Sequence, residues 1–249
     1  MDKEPLIRGA RSLGLVISKF AGDEAIGTCP GCLKDLHLYF NFKKGVFDCK
    51  VCKAHGDYPR LCELLYECRR EGFDEGKRTE LAEDRGLPAE AFGDCDIGVI
   101  NRKFLLPIRR IDGRLVDVRQ YRLGQKVRST SGCNVGLFGA PNLKKRPRDP
   151  IYLCEGEWDA IALEWLRRKL GKPGVVVGVP GAMTFKDHWR EWFRGREVFA
   201  CFDNDDAGAS GEQRIAEKLA GIASQLHFIS WRSDEKKGMD LRDLVGAIV

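Results

Sequence analysis

Four short apolar runs divide the last hundred residues: IYLC (151–154), VVVGV (175–179), EVFACF (197–202) and QLHFIS (225–230). Between them, 157–170, 185–195 and 207–222 carry apolar residues at helical spacing. Alternation of apolar strands with such segments predicts a parallel sheet covered by helices on both faces. The front of the chain has a different rhythm. Leu6, Ile7, Leu13, Val16, Ile17 and Phe20 suggest a short amphipathic helix over the first twenty residues. LHLYFNF (36–42) and VFD (46–48) then read as strands around a KKG turn. Residues 57–71 predict a helix with Leu61, Leu64 and Leu65 on its apolar face, the polar stretch 71–80 a linker, and 79–93 a helical segment broken by Gly86 and Pro88. Further on, 103–111 and 114–123 flank Asp112-Gly113, a strong hairpin signal because both residues tolerate positive φ. Residues 126–138 add short strand-like pieces, and Lys144-Lys145-Arg146 reads as a loop before the first parallel strand.

The 249 residues carry a formal charge of +5, which is uninformative until it is counted by region. Residues 1–90 sum to −1, 91–150 to +8 and 151–249 to −2. The positive excess therefore lies in the middle block, in Lys103, Arg109, Arg110, Arg114, Arg119, Arg122, Lys126 and Arg128. A block so concentrated suits a surface that meets phosphates; a solvated face is the alternative. No apolar run approaches the ~20 residues needed to span a bilayer, and the N-terminus has no signal-peptide pattern, so a soluble cytoplasmic protein with no membrane partner is expected.

The chain has ten cysteines, and their spacing argues against disulfides. Cys29 and Cys32 form one C-x-x-C, and Cys49 and Cys52 a second, sixteen residues on. Two such knuckles predict a ribbon built on a four-thiolate zinc site. Four thiolates close the tetrahedron, so the zinc is expected to be structural. His37 and His55 lie near enough in sequence to compete as ligands. Tyr39, Phe40, Phe42 and Phe47 could stack on unpaired bases, although alternation sends about half of them into the ribbon's core. The other six cysteines sit among apolar neighbours and read as buried thiols of a reducing compartment.

Acidic residues gather where the parallel strands end. Glu155 follows IYLC in the run Glu155-Gly156-Glu157-Trp158-Asp159-Ala160, and Asp203 and Asp205 follow EVFACF. In extended backbone, residues two apart point the same way, so Asp203 and Asp205 can face one ion, at the strand ends where open α/β sheets place their sites. Mg²⁺ takes oxygen ligands and accepts one or two carboxylates, completing its shell with water and phosphate. Helix caps and solvated turns are the alternative use of such residues.

E-G-x-x-D-A followed about fifty residues later by D-x-D-x-A-G resembles the TOPRIM domain of bacterial-type primases, topoisomerases and certain nucleases. Val179-Pro180-Gly181-Ala182, between them, is similar to that domain's loop before its second helix, and Gly238-Met239-Asp240-Leu241-Arg242-Asp243-Leu244 resembles its late acidic motif. A four-cysteine ribbon, a basic β-rich block and a TOPRIM domain, in that order, resemble the bacterial and phage primases. Phe104–Arg109, Lys126–Ser129 and Leu137-Phe138-Gly139 agree with the family's middle region. The resemblance implies an α/β chain of three modules: a zinc ribbon with flanking helices (1–72), a basic subdomain (73–150) and a TOPRIM domain (151–249). It implies a catalytic set of Glu155, Asp159, Asp203, Asp205 and Asp240. Glu155, Asp203 and Asp205 would hold catalytic Mg²⁺ or Mn²⁺, and Asp159 and Asp240 would complete the acidic cluster. It implies single-stranded DNA and nucleoside triphosphates as partners, bound by Lys103, Arg109, Arg110, Arg119, Arg122, Lys126 and Arg128, and a primer joined by two-metal chemistry. With no P-loop in the sequence, a helicase partner would be a separate protein; the short length fits a phage or mobile-element enzyme. Arg242 stands where the family often has a second acid, which leaves Asp243 as a possible replacement, and Cys133-Asn134-Val135-Gly136 stands where a lysine is common. Two rivals remain: a non-catalytic recombination mediator with a zinc finger and TOPRIM domain, and a TOPRIM nuclease.

Overall fold

The computed structural model describes residues 4–232 and 234–248. Three consecutive segments are expected from the sequence; contacts divide the chain into two compact units, each assembled from separated stretches.

The first unit combines residues 1–77, 96–108 and 115–135. It opens with α1 (Pro5–Ser12), shorter than the apolar pattern predicts. Gly14 at φ +95 ends it, and Ile17 and Phe20 fall instead on strand β1 (Ile17–Ala21). β2 (Glu24–Gly27), β3 (Leu38–Asn41), β4 (Val46–Cys49) and β5 (His55–Asp57) complete an antiparallel sheet in sequential order. Asp57 then caps α2 (Tyr58–Glu67) by accepting from Arg60 N at 3.1 Å. β6 (Gly98–Ile100), β7 (Lys103–Arg109) and β8 (Leu115–Tyr121) form a second sheet. One apolar cluster joins these parts: Ile7 and Leu13, Phe40, Leu61 and Tyr66, Leu105 and Val118. The ribbon and the hairpin therefore share a core. Tyr58 stacks on Phe40 and donates through its hydroxyl to Ser131 O at 2.8 Å. Position 9 must be glycine for this to happen, because a Cβ there would lie 2.1 Å from both of those oxygens.

Residues 71–80 are not the linker their polarity predicts. Asp74 Oδ1 accepts from Lys77 N at 2.9 Å and starts α3 (Glu75–Arg85), which stops before Gly86 at φ +64. The strand-like pieces of 126–138 reduce to isolated pairings, Gln120 with Arg128 and, in the second unit, Phe138 with Gly178. Lys144 and Lys145 belong to a short helix, α4 (Pro141–Lys145), rather than a loop.

The second unit combines 78–95, 109–114 and 136–249. Its sheet has the order β10-β9-β11-β12, all parallel: β9 (Ile151–Cys154), β10 (Val175–Gly178), β11 (Glu197–Cys201) and β12 (Gln225–Phe228). Side chains alternate between its faces. Ile151, Leu153, Val175, Val177, Val198 and Ala200 pack with Trp189, Phe193 and Ile215, the last on α6 (Asp206–Leu219). The opposite face gives Cys154, Val176 and Cys201 to α5 (Glu157–Lys169) and α7 (Leu241–Ile248). The expected sheet with helices on both faces is present. Residues 185–195 form a 3₁₀ segment (Asp187–Phe193) in place of an α-helix, anchored by Phe185 edge-to-face on Trp189 and Phe193.

Candidate metal centres and nucleic-acid interface

The cysteine knuckles are shaped by backbone that turns sharply behind each pair. Leu33 N returns to Cys29 O at 2.8 Å and Lys53 N to Cys49 O at 3.1 Å, with Leu33 and Lys53 both at positive φ. All four sulfurs lie within 4.8 Å of one another, the only such group of three or more His, Cys, Asp or Glu ligand atoms among the described residues. Cys29–Cys52 and Cys32–Cys49 are separated by 3.6 and 3.7 Å. A tetrahedron of thiolates each about 2.3 Å from zinc has edges of about 3.8 Å, so the donor set fits the metal. Burial lifts the Cys29 thiol to about 12; at Cys49 burial is outweighed by the N–H groups of Cys52 and Val51, which bring it down to about 7. His37 and His55 are exposed and outside the group, His55 turned to Lys53 O at 2.9 Å. Phe40, Phe42 and Phe47 are buried, leaving Tyr39, beneath Lys50, as the ring of the four open to a base.

Sheet register brings the acidic residues together in the second unit. Cys154 of β9 pairs with Cys201 of β11, so the two strands end side by side and release Glu155 next to Asp203. Asp203 N lies 3.5 Å from Glu155 Oε2. Asp205 turns to α6, where its Oδ1 caps Gly208 N at 2.7 Å. The 203–208 turn is tight enough that a Cβ at Gly208 would meet Asp203 O at 2.1 Å. Asp205 thus takes the helix-cap role that sequence left open, and the 203–205 backbone is a turn in which Asp205 N bonds Asp203 O at 2.8 Å. Asp159, on the first turn of α5, and Asp240, ahead of α7, are each 7% exposed. Arg242 joins them, through Nε to Asp159 Oδ1 at 3.2 Å and through Nη2 to Asp240. Asp243 accepts from Asp240 N while Asp240 accepts from Asp243 N, a reciprocal cap that occupies the residue nearest to the missing acid.

Burial and like charge both disfavour ionisation here. Asp203 is pushed up to about 7 by desolvation and then by Glu155, Asp240 and Asp205. Desolvation likewise raises Glu155 and Asp240, and raises Asp159 well above the ordinary range. A divalent cation would relieve this burial and repulsion, so Glu155 and Asp203, with the charge of Asp205 beside them, fit a hard ion chemically. Among the described residues, the oxygens of these carboxylates are not gathered as closely as the four sulfurs of the ribbon.

The basic strip is divided by strand alternation. Arg119 lies on the same face of β8 as buried Asp117, 9% exposed, with Nη1 on Ser129 Oγ at 3.3 Å, and so leaves the open strip. Arg109, Arg110 and Arg114 flank the hairpin turn, Arg110 3.7 Å from Asp112 and Arg109 bonded to Gly113 O. Lys103, Arg122, Lys126 and Arg128 instead converge on a cavity of about 400 Å³ in the first unit, joined by Arg8 of α1. Sequence reasoning missed Arg8, which carries no local signal, and noticed Arg242 only as a departure from a pattern.

The architecture is a four-cysteine ribbon together with a parallel sheet that presents carboxylates at adjoining strand ends, and residues 152–245 match the Toprim-like family model. The chain has the fold of bacterial and phage primase cores. It covers 75% of its length on 74% of a DnaG catalytic core (TM-score 0.58, 21% identity). It covers 98% of its length on 80% of the zinc-binding and RNA polymerase domains of the Aquifex aeolicus primase (TM-score 0.50, 15% identity). For the primase fragment of the bacteriophage T7 primase-helicase the coverage is 88% and 93% (TM-score 0.50, 16% identity). Among curated relatives, the Gene 57 protein of Mycobacterium phage D29 is 36% identical over 95 residues, 38% of this chain and 58% of that protein. Uncharacterized protein MG010 of Mycoplasma genitalium is 27% identical over 134 residues, 48% of this chain and 56% of that protein. The chain therefore spans a little over half the length of the curated relatives it matches. Among the described residues no helix is long and apolar enough to cross a membrane.

Proposed function

We propose that the protein is a primase: a nucleotidyl transferase that joins nucleoside triphosphates into short primers on single-stranded DNA. The observation that carries this reading is the release of Glu155 and Asp203 side by side from β9 and β11, with Asp205 two residues on, in a chain that also holds a four-cysteine ribbon. Glu155, Asp203 and Asp205 would hold Mg²⁺ or Mn²⁺, which supplies charge stabilisation for phosphoryl oxygens and for the attacking hydroxyl. Glu155, beside Asp203 at the adjoining strand ends, would serve either as a ligand of that ion or, in its place, as the base that takes the proton of that hydroxyl. Asp159 and Asp240, bound to Arg242, position the first turns of α5 and α7 rather than offering open oxygens. Lys103, Arg122, Lys126 and Arg128 would supply phosphate contacts, and the ribbon, closed by zinc, a template-facing surface at Tyr39. A replicative helicase would be a separate partner.

The test is incubation of the full chain with single-stranded DNA, labelled nucleoside triphosphates and Mg²⁺ or Mn²⁺, alongside Asp203→Asn. Short labelled products from the parent and none from the variant are expected. DNA degradation without synthesis would replace this reading with a nuclease; DNA binding without either reaction would replace it with a loading factor.

A further inference from the structure

The two innermost acids of the second unit commit their carboxylate oxygens within the protein. Both oxygens of Asp240 face donors of the chain itself: Oδ1 accepts from Arg242 N at 2.9 Å and from Asp243 N at 3.1 Å, and Oδ2 meets Arg242 Nη2. Asp159 Oδ1 accepts from Arg242 Nε at 3.2 Å. Its Oδ2 turns back over Gly156, so close that a Cβ there would lie 3.1 Å from it. Arg242 therefore lies between the two carboxylates, its side chain 25% exposed. A second guanidinium, that of Arg85 at the end of α3, stacks over Trp158 at 5.3 Å and adds its charge beside Asp240. Two buried acids are thus matched by two arginines, and one of these stands where the resemblance to primases leads to another acid.

A pair of divalent ions about 4 Å apart needs carboxylate oxygens on both sides of a shared ligand. Glu155 and Asp203, at the adjoining strand ends, serve one side. For the other, Asp205 has Oδ1 on Gly208 N at 2.7 Å, and Asp240 and Asp159 are held by Arg242. The guanidinium opposes a second dication twice over, by occupying its ligands and by repelling its charge. We propose that Arg242 takes the place of a second metal ion, so that this chain binds one divalent cation at the Glu155–Asp203 strand ends and supplies the other positive charge itself. The two-ion arrangement that the resemblance implies becomes one ion and one arginine. The inference rests on the primase reading only in taking those strand ends as the ion site.

Mn²⁺ counts the ions directly and, as the weakest binder of the first-row dications, leaves thiolate-bound zinc in the ribbon. The full, zinc-loaded chain is titrated with Mn²⁺ and followed by electron paramagnetic resonance, with Asp203→Asn as the measure of binding elsewhere on the surface. The parent should bind one Mn²⁺ per chain beyond Asp203→Asn, with the spectrum of an isolated ion. Arg242→Asp should bind a second ion, tightened about tenfold or more, and show the exchange-coupled spectrum of two ions about 4 Å apart. Arg242→Lys, which keeps the charge, should stay at one. Were the arginine only a structural tie, Arg242→Asp would alter melting and leave the count at one. Two coupled ions in the parent, or a single ion in a folded Arg242→Asp, would overturn the proposal. Should the aspartate prevent folding, Arg242→Asn removes the charge without adding an acid: a second ion there supports the proposal, and a count still at one overturns it. None of these readouts involves primers. One ion in a parent that makes no primers keeps the arginine's role and loses the primase reading; coupled ions in a parent that makes them does the reverse.

Discussion

Arg242 Nε donates to Asp159 Oδ1 across 83 residues of sequence, tying the start of α7 to the first turn of α5. The same guanidinium meets Asp240, so a fixed protein cation lies between two buried carboxylates beside the candidate metal site.

Arg242→Gln should therefore destabilise the protein by about 2 kcal/mol, since removing one partner leaves charge buried and uncompensated, discounted here for partial exposure. Urea denaturation should show the loss; a double variant with Asp159→Asn should recover part of it. An unchanged midpoint in Arg242→Gln would mean that the bridge is not formed in solution.

Asp205 combines two tasks that substitution can separate. Asp205→Ala removes the cap on Gly208 N and should cost about 1 kcal/mol, whereas Asp205→Asn keeps an efficient cap. Both should weaken Mn²⁺ binding measured by calorimetry. Only the alanine variant should melt earlier, and equal Mn²⁺ affinity in all three proteins would remove Asp205 from the ligand set.

How much of this was legible beforehand depends on the range of each signal. The cysteine spacing, the Asp112-Gly113 hairpin and the four parallel strands announce themselves within a few residues, and all are present. α3 was hidden because its cap, Asp74, sits in a polar stretch that looks like linker. The division of the basic strip needed the pleat of β8, which places Arg119 beside Asp117 and Arg122 with Gln120 on the other face. Arg8 joins the cavity only through the shared core, a relationship with no counterpart in local sequence.

Removal of the zinc should unfold the ribbon, because structural zinc contributes on the order of 10 kcal/mol to such sites. Cys49→Ser should lower bound zinc below one per chain and reduce strand signal in circular dichroism. Since Phe40 and Phe47 share the cluster that holds Leu105 and Val118, the loss should extend to the hairpin, visible as faster amide exchange in β7 and β8. Full zinc content in the variant would overturn the ligand assignment.

Asp117 should give the first unit a pH dependence opposite to that of an ion-paired acid. Desolvation raises its folded pKa to about 6, despite hydrogen bonds from Ser129 and Thr130 N and the charge of Arg119. The folded state then holds its proton where the unfolded chain has released it, so stability from this group falls as pH rises from about 4 through about 6. Asp117→Asn should flatten that slope and gain up to about 3 kcal/mol at neutral pH. Urea midpoints at acid and neutral pH for both proteins test it; identical slopes would place Asp117 in a wetter setting.

The tracing of the chain through its two units also bears on how the molecule can be made. Stretches 1–77, 96–108 and 115–135 belong to one and 78–95, 109–114 and 136–249 to the other. Neither can be excised by a single cut, and a nascent polypeptide cannot complete the first until residue 135 has left the ribosome, after much of the second's early sequence has already emerged. Expression fragments ending near residue 72 or beginning near 151 should consequently be insoluble on their own, while coexpressed pieces nicked at an exposed loop could still reassemble.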